Sequence, residues 1–302
     1  MNHHTAPMAL LLATLVANAH ADQLSTALVT GPAAWTSICS GISIGNTSTI
    51  VGLIVPITEG QCNSGQTANP VGTVSSSAAY ASASLNTTLS GQGTAGFGVL
   101  KLRAESSAPN RTHFPATLAQ GGWEDTLFHA APTPADVGKN ADLTFSLWVD
   151  GDLSAAGFNA GARMQLVAYV GSNVSHHPWD LSFGGQGFQG DPYQETVGGL
   201  YSMTIPVPLG VAFDLGIAGR AQAGPASYGA IDIINTGLVD FSHTVRWAGI
   251  DSFVYNGIPL DTNFDAASGI DWTLAAPVSE PSSALLMAAG LALFVRRRRG
   301  LF

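Results

Sequence analysis

In segment after segment between residues 100 and 255 large apolar side chains recur at every second position, and that period decides what the chain can become. Leu143, Phe145, Leu147 and Val149 share one face of an extended segment, because successive side chains of a strand point to opposite sides. Met164, Leu166, Ala168 and Val170 repeat the pattern. So do Tyr201, Met203, Ile205 and Val207, and then Val211, Phe213, Leu215 and Ile217. Around Leu100, Leu102 and Ala104 the interleaved Lys101, Arg103 and Glu105 give a strand with one wet side. Residues 241–247 and 250–255 supply later strands and 49–57 an earlier one. Asp150-Gly151, Gly184-Gly185, Ala223-Gly224-Pro225 and Asn256-Gly257 read as the turns between strands. No stretch from 22 to 275 carries a long amphipathic helix. Half-wet strands at short spacing bury one face each, which predicts an all-β fold of two packed antiparallel sheets, a β-sandwich or jelly roll. The body is expected over 22–275, with 22–70 either joining the sandwich or forming a separate lobe.

The two ends break this pattern. Residues 8–17 are apolar throughout and are followed by Ala19-His20-Ala21, the small-x-small pattern a signal peptidase accepts. A signal peptide over 1–21, cleaved after Ala21, is the expectation. At the other end, Val278-Ser279-Glu280-Pro281 precedes an apolar run over 284–295 and then Arg296, Arg297, Arg298 and Arg299. A helix of that length reaches about 18 Å, short of the roughly 30 Å hydrocarbon core. Adjacent arginines resist translocation and stay cytoplasmic, so everything before them is expected beyond the inner membrane.

The ending over 277–302 resembles the PEP-CTERM sorting signal, a Pro-Glu-Pro box followed by a short membrane helix and an arginine cluster. Ser279 stands where the box has its first proline. The resemblance implies recognition by an exosortase-type membrane peptidase, passage through the inner membrane, and delivery to the surface of a Gram-negative bacterium that makes exopolysaccharide. The run from Tyr80 to Leu85, the Trp123-Glu124-Asp125-Thr126-Leu127 segment and Ala267-Ser268-Gly269-Ile270-Asp271 are similar to the body of such proteins, for which the resemblance implies no activity.

An exported compartment makes pairing of the only two cysteines, Cys39 and Cys62, the default. Net charge is −9, and without the arginine cluster seven basic residues face twenty acidic ones. That balance argues against nucleic acid as a partner and would repel an anionic polysaccharide unless cations bridged the two.

Few residues suggest chemistry. Asp150-Gly151-Asp152 opens like a calcium loop, but Ala155 and Gly161 stand where an EF-hand needs Gly and Glu. A looser calcium site at Asp150 and Asp152 is the weak metal candidate, against a plain Asp-Gly hairpin turn; no other cofactor is expected. His176-His177-Pro178-Trp179-Asp180 gathers metal-binding side chains, yet adjacent histidines on a strand point apart. His243 shares a face with Phe241, Val245 and Trp247 and reads as a core histidine. A glycosidase needs two carboxyl groups facing each other across a cleft, and strand geometry turns Glu124 and Asp125 to opposite sides. Among Trp123, Trp148, Trp179, Trp247 and Trp272, alternation puts Trp148 on the face of Thr144 and Ser146, away from the core, as the candidate sugar platform. The expected role is structural or adhesive, within exopolysaccharide or biofilm, and non-catalytic. A carbohydrate-binding module is the alternative, and a glycoside hydrolase the third reading.

Overall fold

The computed structural model describes residues 32–44, 59–110, 113–158, 160–171, 179–187, 191–225 and 231–276. The segments expected to be terminal signals (1–21 and 277–302), residues 49–57 and His176 to Pro178 lie outside the described residues, as do the side chains of Trp179, Asp180 and His243.

Twelve long strands carry the fold. They are β1 (Ala33–Ile44), β2 (Glu59–Thr67), β3 (Thr73–Ser82), β4 (Thr87–Gly96), β5 (Val99–Asn110), β6 (His113–Phe128), β7 (Asn140–Ala156), β8 (Ala160–Val170), β9 (Trp179–Gly187), β10 (Tyr193–Pro208), β11 (Phe213–Pro225) and β12 (Ile231–Tyr255). Two-residue strands β13 (Ile258–Pro259) and β14 (Asp265–Ala266) follow. The first sheet runs β2-β1-β6-β11-β8-β9, with β14 on β6. The second runs β10-β7-β12-β5-β4-β3, with β13 on β12. Every pairing is antiparallel.

The last eight long strands pair as nested partners: β5 with β12, β6 with β11, β7 with β10, β8 with β9. One long antiparallel hairpin, rolled so that successive arms alternate between sheets, gives that order, which is the jelly roll. The preceding strands extend it: β1 and β2 widen the first sheet beside β6, and β3 and β4 widen the second beside β5. Residues 33–44 and 59–67 are therefore strands of the sandwich.

The period-two faces meet between the sheets. Leu143, Phe145, Leu147 and Val149 are fully buried against Met164, Leu166, Ile217, Phe241 and Trp247 in one continuous core. Val211 departs from the expected pattern: it sits in the turn before β11 and is exposed.

Two of the expected turns are strand interior. Asp150-Gly151 lies in the middle of β7, because Gly151 makes room for a neighbour: a Cβ there would stand 2.6 Å from the Phe241 ring. Gly184-Gly185 lies within β9, where a Cβ on Gly185 would stand 2.6 Å from the Tyr193 ring. Ala223-Gly224-Pro225 closes β11. Asn256-Gly257 is a true turn, with φ of 50° and 78°, and it joins β12 to β13 as a two-residue hairpin. The two segments expected over 241–247 and 250–255 are one strand, β12, bent by register shifts after Phe241, Trp247 and Ile250.

Candidate functional site

Trp148 lies on the outer face of the second sheet, 43% exposed, while its neighbours Leu147 and Val149 are sealed in the core. Register places it between Leu200 of β10 and Arg246 of β12. Leu200 is 56% exposed, so the two form an apolar spot on an otherwise polar face. Beside it runs a ladder of short polar side chains. The Ser146 hydroxyl reaches Ser202 at 2.7 Å and donates to Asp251 at 2.5 Å, and the Thr144 and Thr204 hydroxyls meet at 2.8 Å. The Arg246 Nε is closed off from solvent and has no hydrogen-bond partner. An exposed indole with a guanidinium beside it and a row of hydroxyls to one side can stack on the apolar C–H face of a pyranose.

Asp150 and Asp152 project from the same face and are exposed. Thr196 donates to Asp152 at 2.7 Å. Among the described residues no three His, Cys, Asp or Glu side chains gather as a metal site.

Further along this face a groove of about 440 Å³ is lined by Gln61, Asn63, Ser77, Gln92, Arg103 and Glu105. Its two charges neutralise each other, with Arg103 reaching Glu105 at 3.3 Å and Asp240 at 3.8 Å.

Glu124 and Asp125 stand on opposite faces of β6. Asp125 is buried in the core, where its carboxylate accepts hydrogen bonds from the Ser268 backbone at 3.1 Å, from the Ser268 hydroxyl, and from the Trp272 indole at 2.7 Å. Glu124 points outward, yet only 6% of it is exposed. Burial pushes its pKa up to about 7; the Tyr169 hydroxyl, hydrogen-bonded to the carboxylate, works against that rise, and the Asp214 charge adds to it. Tyr169 reaches across β11 because Gly216 lies beneath its ring, where a Cβ would overlap the phenol. Trp35, Val167, Tyr169 and Ala218 form a small buried cluster on this outer face, separate from the core. Strand alternation alone finds Trp148 and the Glu124/Asp125 split. It misses this second cluster, which needs the register of β1, β6, β11 and β8.

Cys39 and Cys62 are directly opposite across β1 and β2, with Cα atoms 4.2 Å apart, and form a disulfide. Trp123, Trp247 and Trp272 are buried, which leaves Trp148 as the exposed indole among the described tryptophan side chains. No helix among the described residues is long and apolar enough to cross a membrane.

Comparison with known proteins adds no relative. No family model matches the chain, no curated protein matches it, and no solved structure matches its fold.

Proposed function

We propose that this chain is an exported, non-catalytic protein of the cell surface or extracellular matrix, structural or adhesive within exopolysaccharide. Its PEP-CTERM-like tail carries Val278, Ser279, Glu280, Pro281 and the Arg296 to Arg299 cluster, and directs it to an exosortase-type membrane peptidase. The observation that supports export is the Cys39–Cys62 disulfide, a bond that persists outside reducing cytoplasm. The adhesive part rests on Trp148, held open on a face whose other groups suit sugar hydroxyls.

Fractionation of the native host tests the first part. The wild-type chain is expected at the surface or in the matrix, shortened at both ends. A variant with Arg296 to Arg299 all changed to Gln is expected to lose that sorting. Intact chain with free thiols in the cytosol would refute the proposal.

The exposed Trp148–Leu200 pair favours a second reading, a carbohydrate-binding module. On a glycan array, Trp148→Ala is expected to reduce retention about five- to thirtyfold, since loss of one stacking aromatic removes about 1–2 kcal/mol. Equal retention of the variant would remove that reading.

A further inference from the structure

The outer face of the first sheet carries two neighbouring arginines that the acidic composition does not foretell. Arg220 of β11 pairs in register with Gln120 of β6 and Gln165 of β8. Two positions along, Arg163 of β8 is opposite Gln222 of β11, so the two arginines are diagonal neighbours on one face. Ser37 of β1 and Ser182 of β9 extend the Arg220 row on either side. The next row is the buried cluster of Trp35, Ala218 and Val167, which packs beside the Arg220 stem.

What sets this pair apart is that two like charges are neighbours and one of them is enclosed. Among the described residues neither arginine makes a salt bridge, which holds for Lys101 and Arg246 as well. The Arg220 Nε is closed off from solvent and has no hydrogen-bond partner. A charge enclosed in this way, beside a second charge of the same sign, is costly unless an anion completes it. Burial and the neighbouring Arg163 both push the Arg220 pKa down. The other members of the Arg220 row carry amides and hydroxyls.

We infer that Arg220 and Arg163 form a carboxylate-binding site on the outer face of the first sheet, taking the carboxyl group of an acidic saccharide such as a uronic-acid unit. A guanidinium presents two parallel N–H donors that match a planar carboxylate. Gln120 and Gln222 lie beside it as hydrogen-bonding groups for ring hydroxyls. Such a site explains how a chain of net charge −9 holds an anionic polymer without a bridging metal ion. The inference deepens the matrix reading and depends on it for the polymer that bears the carboxylate.

The test is calorimetric titration of the full chain with three probes: a hexamer of galacturonic acid, a neutral hexamer of glucose, and inorganic sulfate. The acidic hexamer is expected to bind. Arg163→Gln, at an exposed position, is expected to weaken it at least tenfold, and Arg220→Gln to abolish it. Thermal unfolding verifies that each variant is folded, and Arg163→Gln keeps the test alive if Arg220→Gln is not. Lys139→Gln, in the turn before β7, is expected to leave the acidic hexamer unaffected. Unchanged binding in Arg163→Gln overturns the proposal, and so does sulfate binding as tightly as the hexamer. Export plays no part in this titration, so mislocalisation in the host and failure of the carboxylate site are separate results.

Discussion

Glu124 and Asp125 are one peptide bond apart and meet opposite environments. Asp125 turns inward and is fully used: three donors, two of them on Ser268 and one on Trp272, close around its carboxylate. Asp125→Ala leaves the buried Trp272 N–H without its acceptor and is expected to cost about 3 kcal/mol in chemical denaturation. Glu124 turns outward under Tyr169 and has its pKa raised from 4.5 to about 7. Between those two values the folded chain retains a proton that the unfolded chain has released. Its contribution is complete below pH 4.5 and is lost as pH rises through 7, by an amount on the order of 2 kcal/mol. Unfolding midpoints of Glu124→Gln measured across that interval are expected to lose this decline. Alternation sufficed to separate the two carboxyl groups. The environment of Glu124 was illegible because Tyr169 and Gly216 reach it only through the pairing of β8, β11 and β6, strands far apart in sequence.

At the scale of the element, glycine is where the sequence misleads. A glycine beside aspartate reads as a turn, yet Gly151 is a strand residue with its missing side chain replaced by the Phe241 ring. The signal that would resolve it, the contact with β12, is set by folding and not by neighbours in sequence. Asn256-Gly257 reads correctly because its two positive φ angles are a local requirement. The strands β2, β3 and β4 are rich in Ser, Thr, Gly and Gln and offer little hydrophobic alternation, so their existence follows from pairing more than from pattern. For β2 this makes the disulfide important. It lies at the sheet edge, mostly exposed, and Cys62 ties it to β1 across a separation of 23 residues. Chain-entropy arguments give such a link about 3 kcal/mol. A Cys39→Ser/Cys62→Ser chain is therefore expected to unfold at lower denaturant concentration. Its amides from Gln61 to Thr67 are expected to exchange faster, opening the side of the polar groove formed by Gln61 and Asn63.

The whole molecule is a rolled hairpin whose two halves are zipped by pairs distant in sequence, and its last described segment is a strap over the core. After β13 the chain crosses to the first sheet, where β14 pairs with β6 and the Ala267 amide donates to the Thr126 carbonyl. Trp272 then packs edge-on against Trp247, whose indole donates to the Trp272 carbonyl at 2.8 Å. Ala276 donates to the Trp247 carbonyl at 2.9 Å. The Ala267 to Asp271 segment and the Trp123 to Leu127 segment, noted separately in the sequence, thus meet at Asp125. Their partnership could not be read beforehand, since neither segment contains the register that joins them. On the proposed function, folding and sorting belong to different parts of the chain. A chain ending after Ala276 keeps every strap contact and is expected to unfold at the same temperature as the full chain while losing its delivery to the surface. A chain ending after Leu260 strips Asp125 of all three donors and uncovers Trp247, and its midpoint is expected to fall by roughly 10 °C or more for a loss of several kcal/mol. Thermal unfolding of the three purified chains, followed by near-ultraviolet circular dichroism of the buried tryptophans, measures this. A large drop for the chain ending after Ala276 would mean that residues 277–302 belong to the folded body and are no detachable signal.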